Sequence, residues 1–284
     1  MRSIFLCILS GMIVAQINGQ KSSKQDEFTM LGDPSPLQEK MNGKVQKVVV
    51  KFYWGIGTGD DIKKGKQITT RERDSLNWFY DFEAIWDINR DHIMSFNYLD
   101  DNSKAFTKYQ FIRKNNQIVL SKWSMGKDYN WGFGNYSKGD GYTKYIYDKK
   151  GQLIRKEDYK TDGDLLLYSF PLKNNEAGDE MEGQALDSNG NLLSKWSTAY
   201  NENRQVIGGD WADKDGNTAG YYKTAYNDKG KVSEVTYFDK DKKVTGVNKH
   251  TYPKYDSKGN WLQDVIKMSS GQIGFCERTI TYFQ

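Results

Sequence analysis

From residue 185 to residue 266 the chain repeats one pattern: a short polar quartet, then a run in which apolar and polar positions alternate. The quartets open at Asp187, Asn201, Asp213, Asn227, Asp239 and Asp256, and close at Gly190, Arg204, Gly216, Gly230, Lys242 and Gly259. Their first residues stand 14, 12, 14, 12 and 17 apart, so the repeating unit is a pair of turns about 26 residues long. An opening Asp or Asn can bond its own backbone two residues on, and a closing Gly accepts positive φ. Loops of this kind join hairpins built on a type I turn. The pattern predicts tandem hairpins, an antiparallel β-meander.

The same rhythm extends upstream. Quartets can be drawn at residues 87–90, 101–104 and 113–116, then at Asp148 to Gly151, Lys160 to Gly163 and Asn175 to Gly178; a turn falls near 127–130, and the last turn runs from Met268 to Gly271. The structural turn residues are therefore Asp148, Gly151, Asp187, Gly190, Asp213, Gly216, Asn227, Gly230, Asp256 and Gly259. About fifteen or sixteen short strands are expected; an open sheet of that many would be curled by its own twist, and the pattern does not decide between an open and a closed sheet.

The first residues are different. Residues 4–14 are apolar apart from Ser10 and Gly11, follow Arg2, and are too short to span a bilayer, so residues 1–19 read as a secretory signal. Residues 20–43 are polar, contain Pro34 and Pro36, and read as a flexible lead-in. Residues 44–74 hold a β-rich strand and a Gly-rich loop followed by Asp60 and Asp61, which argues against phosphate binding. The repeat domain then covers residues 75–284, opening on an alternating aromatic run from Trp78 to Trp86.

Composition narrows the picture. The chain has 284 residues, only 37% hydrophobic, with 19 Tyr, which favours a thin sheet wetted on one side. A net charge of +4 with both signs interleaved is a solvated surface and not a nucleic-acid footprint. Once the signal is removed, Cys276 remains alone, so the fold stands without disulfides, and its alternation with Ile280 and Tyr282 marks it as a small buried hydrophobe.

YIYDKKGQL at residues 145–153 and YDSKGNWL at residues 255–262 resemble the YD repeats of RHS-type proteins, whose motif is Tyr-Asp-x-x-Gly-x-Leu. The ending from Gly259 through Tyr282 is similar to that of secreted Bacteroidetes repeat proteins. The resemblance implies an all-β repeat sheet, and in RHS proteins such arrays wind into a shell around a toxin domain.

Candidate chemistry is sparse. His92 and His250 lie in separate repeats, and there is no nucleophile elbow. The turn from Asp213 to Gly216 lacks the first and last ligands of a calcium loop, with Trp211 and Tyr222 where carboxylates belong. Glu176, Asp179, Glu180 and Glu182 form an acidic cluster that reads as solvated. No metal or other cofactor is expected. Neither strand face around residues 153–159 is apolar, which argues against a membrane-spanning barrel. Trp196, Trp211, Tyr221, Tyr222 and Trp261 are the candidate ligand-binding residues, as aromatic rows suited to a sugar face or a peptide. The expected function is that of an exported, non-catalytic binding or scaffold module that contacts a protein or glycan, with sheet edges that would invite self-association where they are exposed. The alternatives are a carbohydrate-active enzyme using a carboxylate pair and a fragment of an RHS-type toxin-encasing shell.

Overall fold

The computed structural model describes residues 41–59, 61–72, 80–87, 93–115, 117–126 and 139–284. The signal, most of the lead-in, Trp78, His92 and the turn near residues 127–130 lie outside them. So do parts of the quartets at residues 87–90 and 113–116, and most of the Gly-rich segment at residues 131–141.

Among the described residues there are seventeen strands, and every pairing between them runs antiparallel. Local chemistry explains the turns between them. At Asp187 the carboxylate Oδ1 accepts from the backbone N–H of Asn189 and Asn191 at 2.9 and 2.8 Å, while Gly190 N–H donates back to the Asp187 carbonyl. The arrangement recurs at Asp148, Asp213, Asn227, Asp239 and Asp256. The fourth residue is left-handed throughout, with φ of 86° at Gly190 and still 61° at Arg204 and 63° at Lys242. One turn is corrected. It begins at Asp100, whose Oδ1 takes the N–H groups of Asn102 and Lys104, and not at Asp101.

The strands divide between two compact units. The first comprises residues 109–224 and 237–243. Here β6 (Gln117–Met125), β7 (Asp140–Tyr147), β8 (Leu153–Lys160), β9 (Leu165–Asn174), β10 (Glu180–Asp187), β11 (Leu192–Tyr200), β12 (Val206–Ala212) and β13 (Thr218–Tyr226) pair in sequence order, each with the next. One face is buried, around Leu167, Ala185, Trp196, Val206 and Tyr222. The other face carries Tyr, Lys, Arg and Glu and is wet.

A bulge decides the phase of β8. Tyr147 pairs with Leu153 but Ile146 pairs with Arg155, so Ile154 is extruded. Leu153 therefore shares the buried face with Lys156, while Ile154 is 47% exposed. The uninterrupted alternation expected at residues 153–159 is corrected accordingly.

The second unit comprises residues 41–108, 225–236 and 244–284. Its ladder runs β15 (Val244–Tyr255), β16 (Trp261–Met268), β17 (Ile273–Tyr282), β1 (Val45–Ile56), β3 (Asp81–Trp86) and β4 (Ile93–Leu99), with short β2 (Lys63–Gln67) beside the end of β1. The remaining strands are β5 (Ala105–Lys114) and β14 (Val232–Phe238).

This ladder overturns the resemblance to an open YD/RHS array. The first strand sits between the last and the third, with Val48 opposite Ile280 on one side and Ala84 on the other. Within this unit the first strand of the chain is thus paired with the last, a closure that an open repeat strip lacks. The sheet edges expected at its two ends are each other's partners, so they offer no site for self-association.

Side chains reinforce this seam. Val48, Val50, Phe52 and Cys276 are buried, with Phe52 directly opposite Cys276. Asp81, fully buried, accepts from Phe52 N–H at 2.8 Å and from Gln67 Nε2 at 2.7 Å. At the seam's end Asn260 accepts from Asn42 N–H and donates to the Asn42 carbonyl and to Tyr282 Oη, which in turn donates to Asp256.

Candidate binding face

The five aromatic residues singled out from the sequence do not form an exposed row. Trp196, Tyr222 and Trp261 are 4%, 6% and 1% exposed; Trp211 and Tyr221 are half-buried. Glycines on neighbouring strands account for three of these positions. Trp196 lies directly opposite Gly183, Trp211 opposite Gly220 and Tyr222 opposite Gly209. A Cβ built on Gly183 or Gly220 would come within 2.6 Å of the facing indole. Each indole thus lies across the backbone that the missing side chain exposes, and the same holds for Trp123 over Gly141. Trp261 belongs to the other unit, where Arg278 Cζ lies 3.3 Å over its ring. Tyr221 projects from the opposite face to Tyr222, opposite Asp210.

The acidic cluster is dispersed. Asp179 is fully buried in a bidentate pair with Arg204 and accepts the side-chain amide of Asn175. Glu180 is buried and accepts Trp196 Nε1–H. Glu182 reaches the wet face, 3.7 Å from Lys173. Among the described residues no group of His, Cys, Asp and Glu is arranged to hold a metal ion.

Two polar clusters that sequence reasoning missed lie on the buried faces. In the first unit Lys156 is 4% exposed, near Asp158 and Glu180, and its Nζ has no hydrogen-bond partner among the described residues. Burial lowers the Lys156 pKa and raises that of Glu180. It also pushes Asp158 up to about 6, against the opposing effects of the Thr143 hydroxyl and the Lys156 charge. In the second unit His250 Nδ1 lies 2.9 Å from Asp264 Oδ2, and Asp264 sits directly opposite Cys276. Burial raises the Cys276 thiol well above its ordinary pKa, which holds it as the unreactive thiol.

The wet face of β7, β8 and β9 gathers what the sequence reading had placed elsewhere. Tyr142 on β7 stacks on Tyr159 of β8 with centroids 5.1 Å apart, and Tyr168 stacks on Phe170 along β9 at 6.2 Å. Lys144 Nζ is 4.5 Å over Tyr159 and 5.7 Å from Tyr142, and Arg155 Cζ is 4.1 Å over Tyr168. Glu157 ties the two pairs: it meets Arg155 Nε at 2.8 Å and accepts Tyr159 Oη–H at 2.6 Å. That bond, with burial and the Glu157 charge, pushes the Tyr159 phenol up to about 12. Ile154 and Leu172, 47% and 49% exposed, are apolar surface on the same two strands, β8 and β9. The sequence signal was the spacing of Tyr142 with Lys144, and of Arg155, Glu157 and Tyr159, at steps of two.

No family model matches the chain, and no curated protein matches it. Among solved structures it is similar to a porin-like protein from Bacteroides uniformis, at TM-score 0.34 and 9% identity over 85% of this chain and 99% of that one. A DUF1329 family protein from Desulfovibrio piger aligns at TM-score 0.25 and 11% identity, over 84% and 86% of the two chains. A LolA superfamily protein from Nitrosomonas europaea aligns at TM-score 0.21 and 6% identity, over 85% and 87%. Similarities this low carry no argument about fold or function, which therefore rest on the chain's own geometry.

Proposed function

We propose that this chain is an exported, non-catalytic binding protein that holds a protein or glycan partner of the cell envelope against its wet sheet face. The observation that carries the reading is the stripe of Tyr142, Tyr159, Tyr168 and Phe170, with Lys144 and Arg155 fixed over its rings. Sheet faces that only meet water have no need of two stacked ring pairs, and rings beside fixed polar groups are common features of recognition surfaces.

Export is supported by the apolar run at residues 4–14 behind Arg2. The non-catalytic reading is supported by the burial of the one described thiol, Cys276, and by the carboxylates of Asp158 and Glu180 being held beside Lys156 on a buried face. No helix among the described residues is long and apolar enough to cross a membrane. The pairs Lys47–Glu83, Lys64–Glu277 and Arg155–Glu157 put charge on the wet faces, where a lipid-facing sheet would carry apolar side chains.

A glycan array together with a pull-down from envelope extract, both on the mature chain, tests the reading. Saturable capture without turnover of the captured molecule is the expected result. Release of cleaved glycan would assign an enzyme instead.

A further inference from the structure

The wet face of the first unit carries more cation than carboxylate. Lys122 stands opposite Tyr142, Lys144 opposite Glu157, and Lys195 reaches the same face through Gln184, which is opposite Phe170. Arg155 adds a fourth positive charge. Glu157 is already taken by Arg155 and Tyr159, Glu182 is matched by Lys173, Asp210 accepts the Ser197 hydroxyl, and Asp140 opens β7 two residues before Tyr142. Lys144 and Arg155 are also preorganised, because the rings beneath them restrict where their charged heads sit.

The backbone constrains the partner further. Strands β7, β8, β9 and β10 are each paired on both sides, so an extended peptide has no edge there to join as an added strand. What remains is contact with the face itself, where pyranose C–H surfaces can pack beside tyrosine rings and carboxylates can meet fixed cations.

We infer that the Tyr142–Tyr159–Tyr168–Phe170 stripe, with Lys144 and Arg155, is a binding site for a carboxylate-bearing polysaccharide. The inference rests on the binding-protein reading and adds the ligand class to it.

The test is titration calorimetry of the mature chain with oligogalacturonate, dextran and poly-glutamate, repeated with Lys144→Gln, Tyr159→Ala and Tyr159→Phe. Circular dichroism melts of the variants confirm that each one folds. Oligogalacturonate is expected to bind, with affinity falling roughly tenfold in Lys144→Gln and in Tyr159→Ala, and nearly unchanged in Tyr159→Phe. Lys144→Gln removes a surface charge without removing a packed ring, so it stays informative even if Tyr159→Ala unfolds. Equal affinity for poly-glutamate would reduce the site to a charged patch and overturn the inference. Binding of dextran alone would overturn the acidic class while leaving the binding-protein reading intact. Failure of all three probes would also overturn the inference, and the array and pull-down would then decide the broader reading separately.

Discussion

An indole laid across a glycine on the next strand hides its flat face from solvent and fills the gap the glycine leaves. Gly141 shows how tight that arrangement is: a Cβ there would sit 2.3 Å from the Trp123 ring and 2.3 Å from the Tyr159 carbonyl oxygen. Backbone cannot swing aside as a flexible side chain can, so Gly141→Ala is expected to cost about 1–3 kcal/mol, read as a lowered urea midpoint at unchanged slope. Turn positions respond through different physics. A Cβ on Gly190 would meet only the Tyr168 hydroxyl, in ordinary contact at 3.7 Å, but φ there is 86°, so Gly190→Val should lose on the order of 1–2 kcal/mol through backbone strain. Asp158 gives the pH dependence. Its folded pKa, about 6, lies above the unfolded value, so the native state holds the proton more tightly. Stability from this group is complete below about pH 4 and is lost as pH rises through about 6, by on the order of 3 kcal/mol. Asp158→Asn keeps an acceptor for Thr143 and removes this titration, so the variant's stability should fall less between pH 4 and 7 than the parent's, the remaining fall coming from Glu180, which burial raises to about 7.

At the scale of strands and turns, the sequence is legible wherever the chemistry is local. Asp and Gly three residues apart specify their own hydrogen bonds, and the turns from Asp148 to Met268 lie where the quartets put them. Legibility fails where one inserted residue changes the phase. The bulge on β8 moves Leu153 to the side of Lys156, and alternation alone gives no warning of it. The aromatic rows failed for a related reason: Trp196 and Gly183 meet across strands, and only the register shows that one covers the other. Within-strand glycines such as Gly183 and Gly220, outside any turn, were the available hint. The stripe on the wet face was readable only in part, since the step-of-two spacing of Arg155, Glu157 and Tyr159 gives their shared face but not their neighbours on β7 and β9.

For the chain taken as a whole, the pairing of β1 with β17 is the feature the sequence concealed. Val50 and Arg278 face each other across 228 positions, and nothing local to either residue encodes the other. Removing residues 273–284 should leave β1 and β16 each without a neighbour on one side. Light scattering after refolding should then show association of the shortened chain at concentrations where the full chain stays dispersed.

The same seam sets an order of events during biosynthesis. The first strand leaves the ribosome long before its last neighbour exists, so completion must wait for the final residues to arrive. Under the proposed export that delay is useful, because a chain that cannot finish early stays threadable through a translocon until its last strand has crossed.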